Sequence, residues 1–242
     1  MFYFARKGFT LAEVLITLTI IGVIAALTIP AVVKSTQNAE ITSKVKKYQS
    51  LLNQAVAMYA SDNGCEGNLA ACGAFDGTNQ KAWNALKVSF KLIKDCGAFA
   101  GCWAPGVTYK LLKGDNHVML DGAYSKGILS DGASIMIIDI DTDTNCTADR
   151  SQTDQTPLLN TCAQFVIDVN GYKGPNQYGR DTFFWWITRS GIVYPKGSTD
   201  DSLFSDPTGT PYCDPDVAGD QYSEGSGQGC AARVLKENTV TY

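Results

Sequence analysis

The residue with most chemical consequence is Glu13, the one charge in an apolar run from Phe9 to Val33. A carboxylate in such a run costs roughly 2.5–3.5 kcal/mol at a bilayer centre, and less near its edge. Carboxylates in apolar spans are rare and functional by default. The job that fits Glu13 is holding a partner. Other acidic residues cluster in DIDTDTN, where Asp139, Asp141, Asp143 and Asn145 alternate. That spacing follows the start of an EF-hand loop. Its sixth position is Thr144 rather than glycine and its twelfth is Arg150 rather than glutamate, so a true EF-hand is excluded. A looser Ca²⁺ loop is the minor reading there, and acidic residues capping turns the major one. Asp214, Asp216 and Asp220 form a second, weaker set of the same kind. No metal or cofactor is assigned from either.

Hydrolytic machinery is absent from the sequence. There is no G-x-S-x-G, no H-E-x-x-H and no P-loop. His117 is the only histidine, and a lone histidine near a short strand reads as structural or surface. No catalytic residue is therefore expected, and the chain does not read as an enzyme.

Eight cysteines, Cys65, Cys72, Cys96, Cys102, Cys146, Cys162, Cys213 and Cys230, all follow residue 64. Zinc ribbons and fingers use short paired spacings such as C-x2-C, which these are not. An even count in an exported chain favours disulfides. Of the 105 pairings open to eight cysteines, neighbour pairing (65–72, 96–102, 146–162, 213–230) closes the shortest loops at least entropic cost.

The elements that must position Glu13 begin at once. Hydrophobic residues make up 45% of 242 and charged residues 18%, which is neither a disordered chain nor a polytopic membrane protein. Charge is uneven. Arg6 and Lys7 precede the apolar run, and Lys34, Lys44, Lys46 and Lys47 stand against Glu40 after it. Residues 61–242 hold 14 basic and 22 acidic groups, a balance of −8. Phosphate contact needs cations, so this acidic part is not expected to bind nucleic acid. The apolar run is 25 residues long. A signal peptide would have a shorter apolar region of about 7–15 residues, whereas about 20 residues span a membrane. A plain anchor leaves Glu13 and the Gly8-Phe9 junction unexplained.

The residues KGFTLAEVLITLTIIGVIAAL resemble the N-terminus of type IV prepilins and type II secretion pseudopilins. The resemblance implies that a prepilin peptidase cuts after Gly8 and methylates the new amino terminus at Phe9. Glu13 then becomes the fifth mature residue, where the family has its glutamate, and Pro30 the twenty-second, where many members have a proline. It also implies that Glu13 is an assembly contact, able to meet the Phe9 amine of a staggered neighbour. Arg6 and Lys7 would hold the N-terminus in the cytoplasm by the positive-inside rule, leaving the cysteines outside where disulfides form.

Past Val33, Ile41, Val45, Tyr48, Leu52, Ala55 and Tyr59 recur at spacings of three and four, one apolar face of a helix. Lys44, Lys47, Asn53 and Gln54 read as the opposite side. Asp62-Asn63-Gly64 is a stop signal. A helix from about Phe9 to Ser61 is expected, roughly 80 Å long at 1.5 Å per residue, bent at Pro30. In the remainder, strands are expected at 107–112, 118–120, 134–140, 164–169, 182–188 and 192–194. Trp83 to Ile93 reads as a helix or a long edge element. FFWWI, Phe183 to Ile187, reads as a covered central strand. CAARVLKENTVTY reads as a final strand tied down by Cys230. DVNGYKGPNQYGRDTFFWWI resembles a stretch in the heads of many bacterial pilin-like proteins. Its Asp168, Gly171, Pro175 and Gly179 read as turn-formers returning a loop to the sheet.

Together these expectations describe an α+β chain, a long N-terminal helix packed on an antiparallel sheet head. The divisions are a leader (1–8), a transmembrane and assembly half of the helix (9–33), an amphipathic half (34–62) and a disulfide-bearing head (63–242). The resemblance implies a structural subunit of a type IV pilus or type II secretion pseudopilus, of minor or specialised kind. Its partners would be the prepilin peptidase, other subunits, the assembly platform and the inner membrane, with the head outside. The alternative is a monomeric, membrane-tethered binding protein or adhesin.

Overall fold

The computed structural model describes residues 8–75, 78–114, 116–117, 124–139, 145–153, 157–206, 208–217 and 224–242. The chain divides into two compact units, Met1–Glu40 and Ile41–Tyr242. Helix α1 (Leu11–Asp62) runs through both.

In the first unit no described side chain is buried. Leu, Ile and Val side chains are exposed on every side of the helix, a surface that requires lipid or a partner. By length and composition this helix can cross a membrane, and among the described residues it is the one that can. Its threonine hydroxyls are already satisfied. Thr17, Thr19, Thr28 and Thr36 donate to the carbonyls of Val14, Leu15, Ile24 and Val32 at 2.8–3.0 Å. No water is needed to solvate them. The helix continues through Pro30, whose ring nitrogen cannot donate to the carbonyl four residues back.

In the second unit α1 becomes one-sided. Val45, Tyr48, Leu52, Ala55, Val56 and Tyr59 are buried, on the face the spacing predicts. They join a core with a six-stranded antiparallel sheet. In chain order the elements are α2 (Asn79–Leu86), β1 (Leu92–Gly97), β2 (Tyr109–Lys110), β3 (Asn116–His117), β4 (Ser125–Leu129), β5 (Ser134–Asp139), β6 (Thr161–Asp168), β7 (Thr182–Thr188), β8 (Val193–Pro195) and α3 (Cys230–Glu237). The sheet order is β1-β4-β5-β6-β7-β8, and β2 and β3 pair separately.

Strand alternation decides what each face meets. Ile135, Ile137, Phe165, Ile167, Phe183, Trp185 and Ile187 face the core containing α1. Met136, Val166 and Phe184 point the other way, into a second cluster with Trp103, Tyr109 and Tyr178. Burial of each large apolar side chain contributes about 1.5–3 kcal/mol as an upper bound. FFWWI is thus covered on both faces as expected, one strand in from the β8 edge.

Polar contacts fix α1 on the sheet. The Tyr48 hydroxyl donates to Asp131 at 2.7 Å, in the β4–β5 turn, and Lys47 pairs with the same carboxylate. Gln49 Nε2 donates to the Val193 carbonyl at 2.8 Å, and Asn53 Oδ1 accepts the Val193 N–H at 3.0 Å. Lys47 and Asn53 therefore border the packed stripe instead of lying opposite it. Four disulfides, Cys65–Cys72, Cys96–Cys102, Cys146–Cys162 and Cys213–Cys230, pin the end of α1, the end of β1, the start of β6 and the start of α3.

Several expectations change. The C-terminal segment is helix α3, not a strand. Cys230, Ala231 and Val234 share a buried face, and Asn238 in the left-handed conformation stops it. The β-branched end TVTY suggests a strand, but CAARVLKE has the helical spacing and an Arg233–Glu237 pair one turn apart. Trp83 to Ile93 is split between α2 and the start of β1. The strand expected at 107–112 contracts to Tyr109–Lys110, and 118–120 lies outside the described residues. Strand β4, SKGIL, carries too little apolar alternation to signal itself; its pairing with β1 and β5 defines it.

Among the described residues, Lys196 is buried with no carboxylate at bonding distance. Lys196 is 2% exposed. Its Nζ lies 3.8 Å from the Trp186 ring centre, 4.4 Å from Phe204 and 5.2 Å from Phe184, and donates to Gln228 Oε1 at 3.2 Å. Burial pushes the ammonium down to about 7, against the attraction of Asp201 and with the repulsion of Arg150. An unfolded lysine titrates near 10.4, so between these values the unfolded chain holds the extra proton and stability rises with pH. Relative to Lys196→Met, the natural protein should gain up to about 1.4 kcal/mol per pH unit between roughly pH 7 and 10. Denaturant melts of both proteins across that range check it, and parallel pH profiles would refute it.

Candidate functional site at the helix start

Gly8, Phe9 and Thr10 precede α1 in non-helical conformation, and Phe9 is 89% exposed. Glu13 sits in the first turn. Its Oε2 accepts the Thr10 N–H at 2.8 Å and the Thr10 hydroxyl at 2.9 Å. In return the Glu13 N–H donates to Thr10 Oγ1 at 3.2 Å. This is a reciprocal capping box, with threonine at the N-cap and glutamate three residues on. It satisfies two helix-end donors that hydrocarbon could not, and places a negative charge at the positive end of the helix dipole.

The box explains how a carboxylate is tolerated at the head of an apolar helix. Both Thr10 donors fall on one oxygen, so among the described residues Oε1 accepts nothing. An incoming cationic group would find that oxygen open. All members of the box lie after the Gly8–Phe9 bond, so removal of residues 1–8 leaves it intact. The bond itself lies in an exposed, non-helical stretch, the form a protease requires. Thr10 is the functional residue that sequence reading missed. The signal was there in T-x-x-E before an apolar run, masked by the weight given to Glu13 alone.

The other sequence candidates stand apart from this site. Pro30 lies inside α1, well beyond the capped turn. Residues 140–144 of the DIDTDTN loop lie outside the described residues, as does Asp220. Asp214 accepts the Asp216 N–H at 2.8 Å, the contact of an acidic residue closing a turn. His117 belongs to β3, and its side chain lies outside the described residues. Among the described residues no group of three or more His, Cys, Asp or Glu side chains is placed to hold a metal.

Replacing Thr10 by alanine should cost about 1 kcal/mol at the helix start. In detergent micelles that appears as roughly fivefold faster amide exchange at Glu13. Unchanged exchange would mean that the box does not hold the first turn.

No solved structure matches the chain. A family model, the prokaryotic N-terminal methylation motif, matches residues 4–29. That match covers Gly8, Phe9, Thr10 and Glu13, the residues of the capped start. The chain thus carries the prepilin-type N-terminal methylation motif typical of type IV pilins and pseudopilins, a family of non-catalytic structural proteins.

Proposed function

We infer that this chain is a structural subunit of a type IV pilus or type II secretion pseudopilus, polymerised through the first part of α1. The observation that carries the reading is an apolar helix with no buried side chain up to Glu40, started by a box that leaves one Glu13 oxygen open. Such a surface is stable against lipid in the membrane or against copies of itself in a filament.

The order of events follows from charge. Arg6 and Lys7 retain the leader, residues 1–8, in the cytoplasm. The prepilin peptidase cuts after Gly8 and methylates Phe9, which keeps the new amine cationic. That amine pairs with Glu13 of a neighbouring copy. Pairing two ions in low dielectric offsets much of the desolvation cost of each. Residues 9–33 serve as anchor and assembly element, residues 34–62 as the link to the head, and residues 63–242 as the exported part. The inner-membrane assembly platform and other subunits are the partners. The length of the head and its four disulfides favour a minor or specialised subunit.

Two measurements test this. Mass spectrometry of the mature chain should find N-methylated Phe9 as its first residue; any other terminus overturns the processing step. Glu13→Val should insert into the membrane normally and disappear from sheared filaments. If that variant assembles like the natural protein, polymerisation through Glu13 is wrong, and a monomeric tethered binding protein takes its place.

A further inference from the structure

Residues 61–242 carry a balance of −8, yet lysines gather at the end of the second unit where its chain begins, near Ile41. The turn between β4 and β5 marks that end, because Asp131 accepts the Tyr48 hydroxyl at 2.7 Å and pairs with Lys47. Two other segments meet the same turn. The Ser130 N–H donates to the Lys91 carbonyl at 2.8 Å, just ahead of β1. A Cβ on Gly171, after β6, would come within 2.2 Å of the Gly132 carbonyl oxygen, so only glycine lets that loop approach. Lys91 is exposed, and so are Tyr172 and Lys173, which follow Gly171. Asp131 is already paired and Asp168 has no exposed surface, so neither neutralises these lysines. Tyr172 also ties in an aromatic loop. Its hydroxyl and Lys94 Nζ each donate to the Gly101 carbonyl at 2.6 Å. Gly101 belongs to the loop closed by the Cys96–Cys102 disulfide, where the Phe99 N–H donates to the Cys96 carbonyl at 2.9 Å. Phe99 is 82% exposed and Tyr172 48%.

We propose that this patch docks the second unit on an anionic lipid surface, with Lys91, Lys94 and Lys173 toward the phosphates and Phe99 and Tyr172 at the headgroup boundary. The side chains suit those places. An exposed phenylalanine gains by leaving water for the acyl boundary, a tyrosine has one apolar and one polar end, and a lysine lays its stem along lipid while its ammonium stays among the headgroups. Two hydrogen bonds and a disulfide hold the aromatic loop beside the lysines, so little ordering is left for the moment of contact. The proposal rests on residues 9–33 being a membrane anchor and does not require polymerisation. Chain length sets the reach. Ile41 follows Val33 by eight residues, which span at most about 29 Å even when fully extended. The patch is thus tethered to a bilayer, and a tethered contact needs little affinity of its own. The tether favours lipid over an acidic protein or a nucleic acid, either of which would have to be captured from solution.

The test uses the full chain carrying Phe99→Trp, reconstituted in vesicles that contain brominated lipid. The natural tryptophans, Trp83, Trp103, Trp185 and Trp186, are all buried, so the added indole is the one that lipid can reach. With phosphatidylglycerol mixed into phosphatidylcholine, its emission should shift to the blue and be quenched by the bromine. With phosphatidylcholine alone it should stay as in detergent. Lys91→Gln and Lys173→Gln should each lower the ratio of docked to undocked chains about fivefold and leave the melting curve in detergent unchanged. Raised salt should act in the same direction. A chain that floats with phosphatidylglycerol vesicles but shows no quenching overturns the proposal and spares the anchor. Equal quenching without anionic lipid overturns it too. A blue shift that grows with protein concentration in detergent would assign the patch to a second copy instead. A chain that does not float at all refutes the anchor, and the proposal falls with it.

Discussion

Strands β6 and β7 are apolar on both faces, and most of the second unit follows from the need to cover them. One face is met by the buried stripe of α1 together with α2 and α3. Among the described residues no α-helix lies against the other. It is covered instead by Trp103, Tyr109 and Tyr178, carried on irregular chain that must bury its own polar backbone. That second cover accounts for the irregular chain around Trp103, which the Cys96–Cys102 disulfide holds, and for the paired strands β2 and β3.

The same constraint puts charge in the interior. Lys196 is enclosed by aromatic rings, and Asp201 beside it accepts the Trp186 indole N–H at 2.7 Å and the Gly197 N–H at 3.0 Å. Each group is there because the loop after β8 passes over the β7 aromatics. Buried polar groups of this kind specify one arrangement of a loop more than they stabilise it.

The sequence made the helix legible because its signal is repeated. Val45, Tyr48, Leu52, Ala55 and Tyr59 each report the same face, and any one could be lost without changing the reading. Glu13 was legible for the opposite reason, as a single violation of an otherwise uniform run. Strand β4 was not, since SKGIL owes its conformation to neighbours at both sides. Nor was α3, whose helical spacing runs into a β-branched tail. The box at Thr10 was overlooked although its pattern is local.

Gln49 and Asn53 spend their amides on Val193, in the last strand of the sheet, and Pro195 supplies no N–H there. At the opposite edge β1 pairs with irregular register and carries Lys94 and Asp95. A sheet with one margin occupied and the other kinked and charged cannot lengthen by adding strands from another molecule. Copies of this unit brought to high local concentration would therefore stay discrete, meeting through side chains rather than fusing into a shared β-structure.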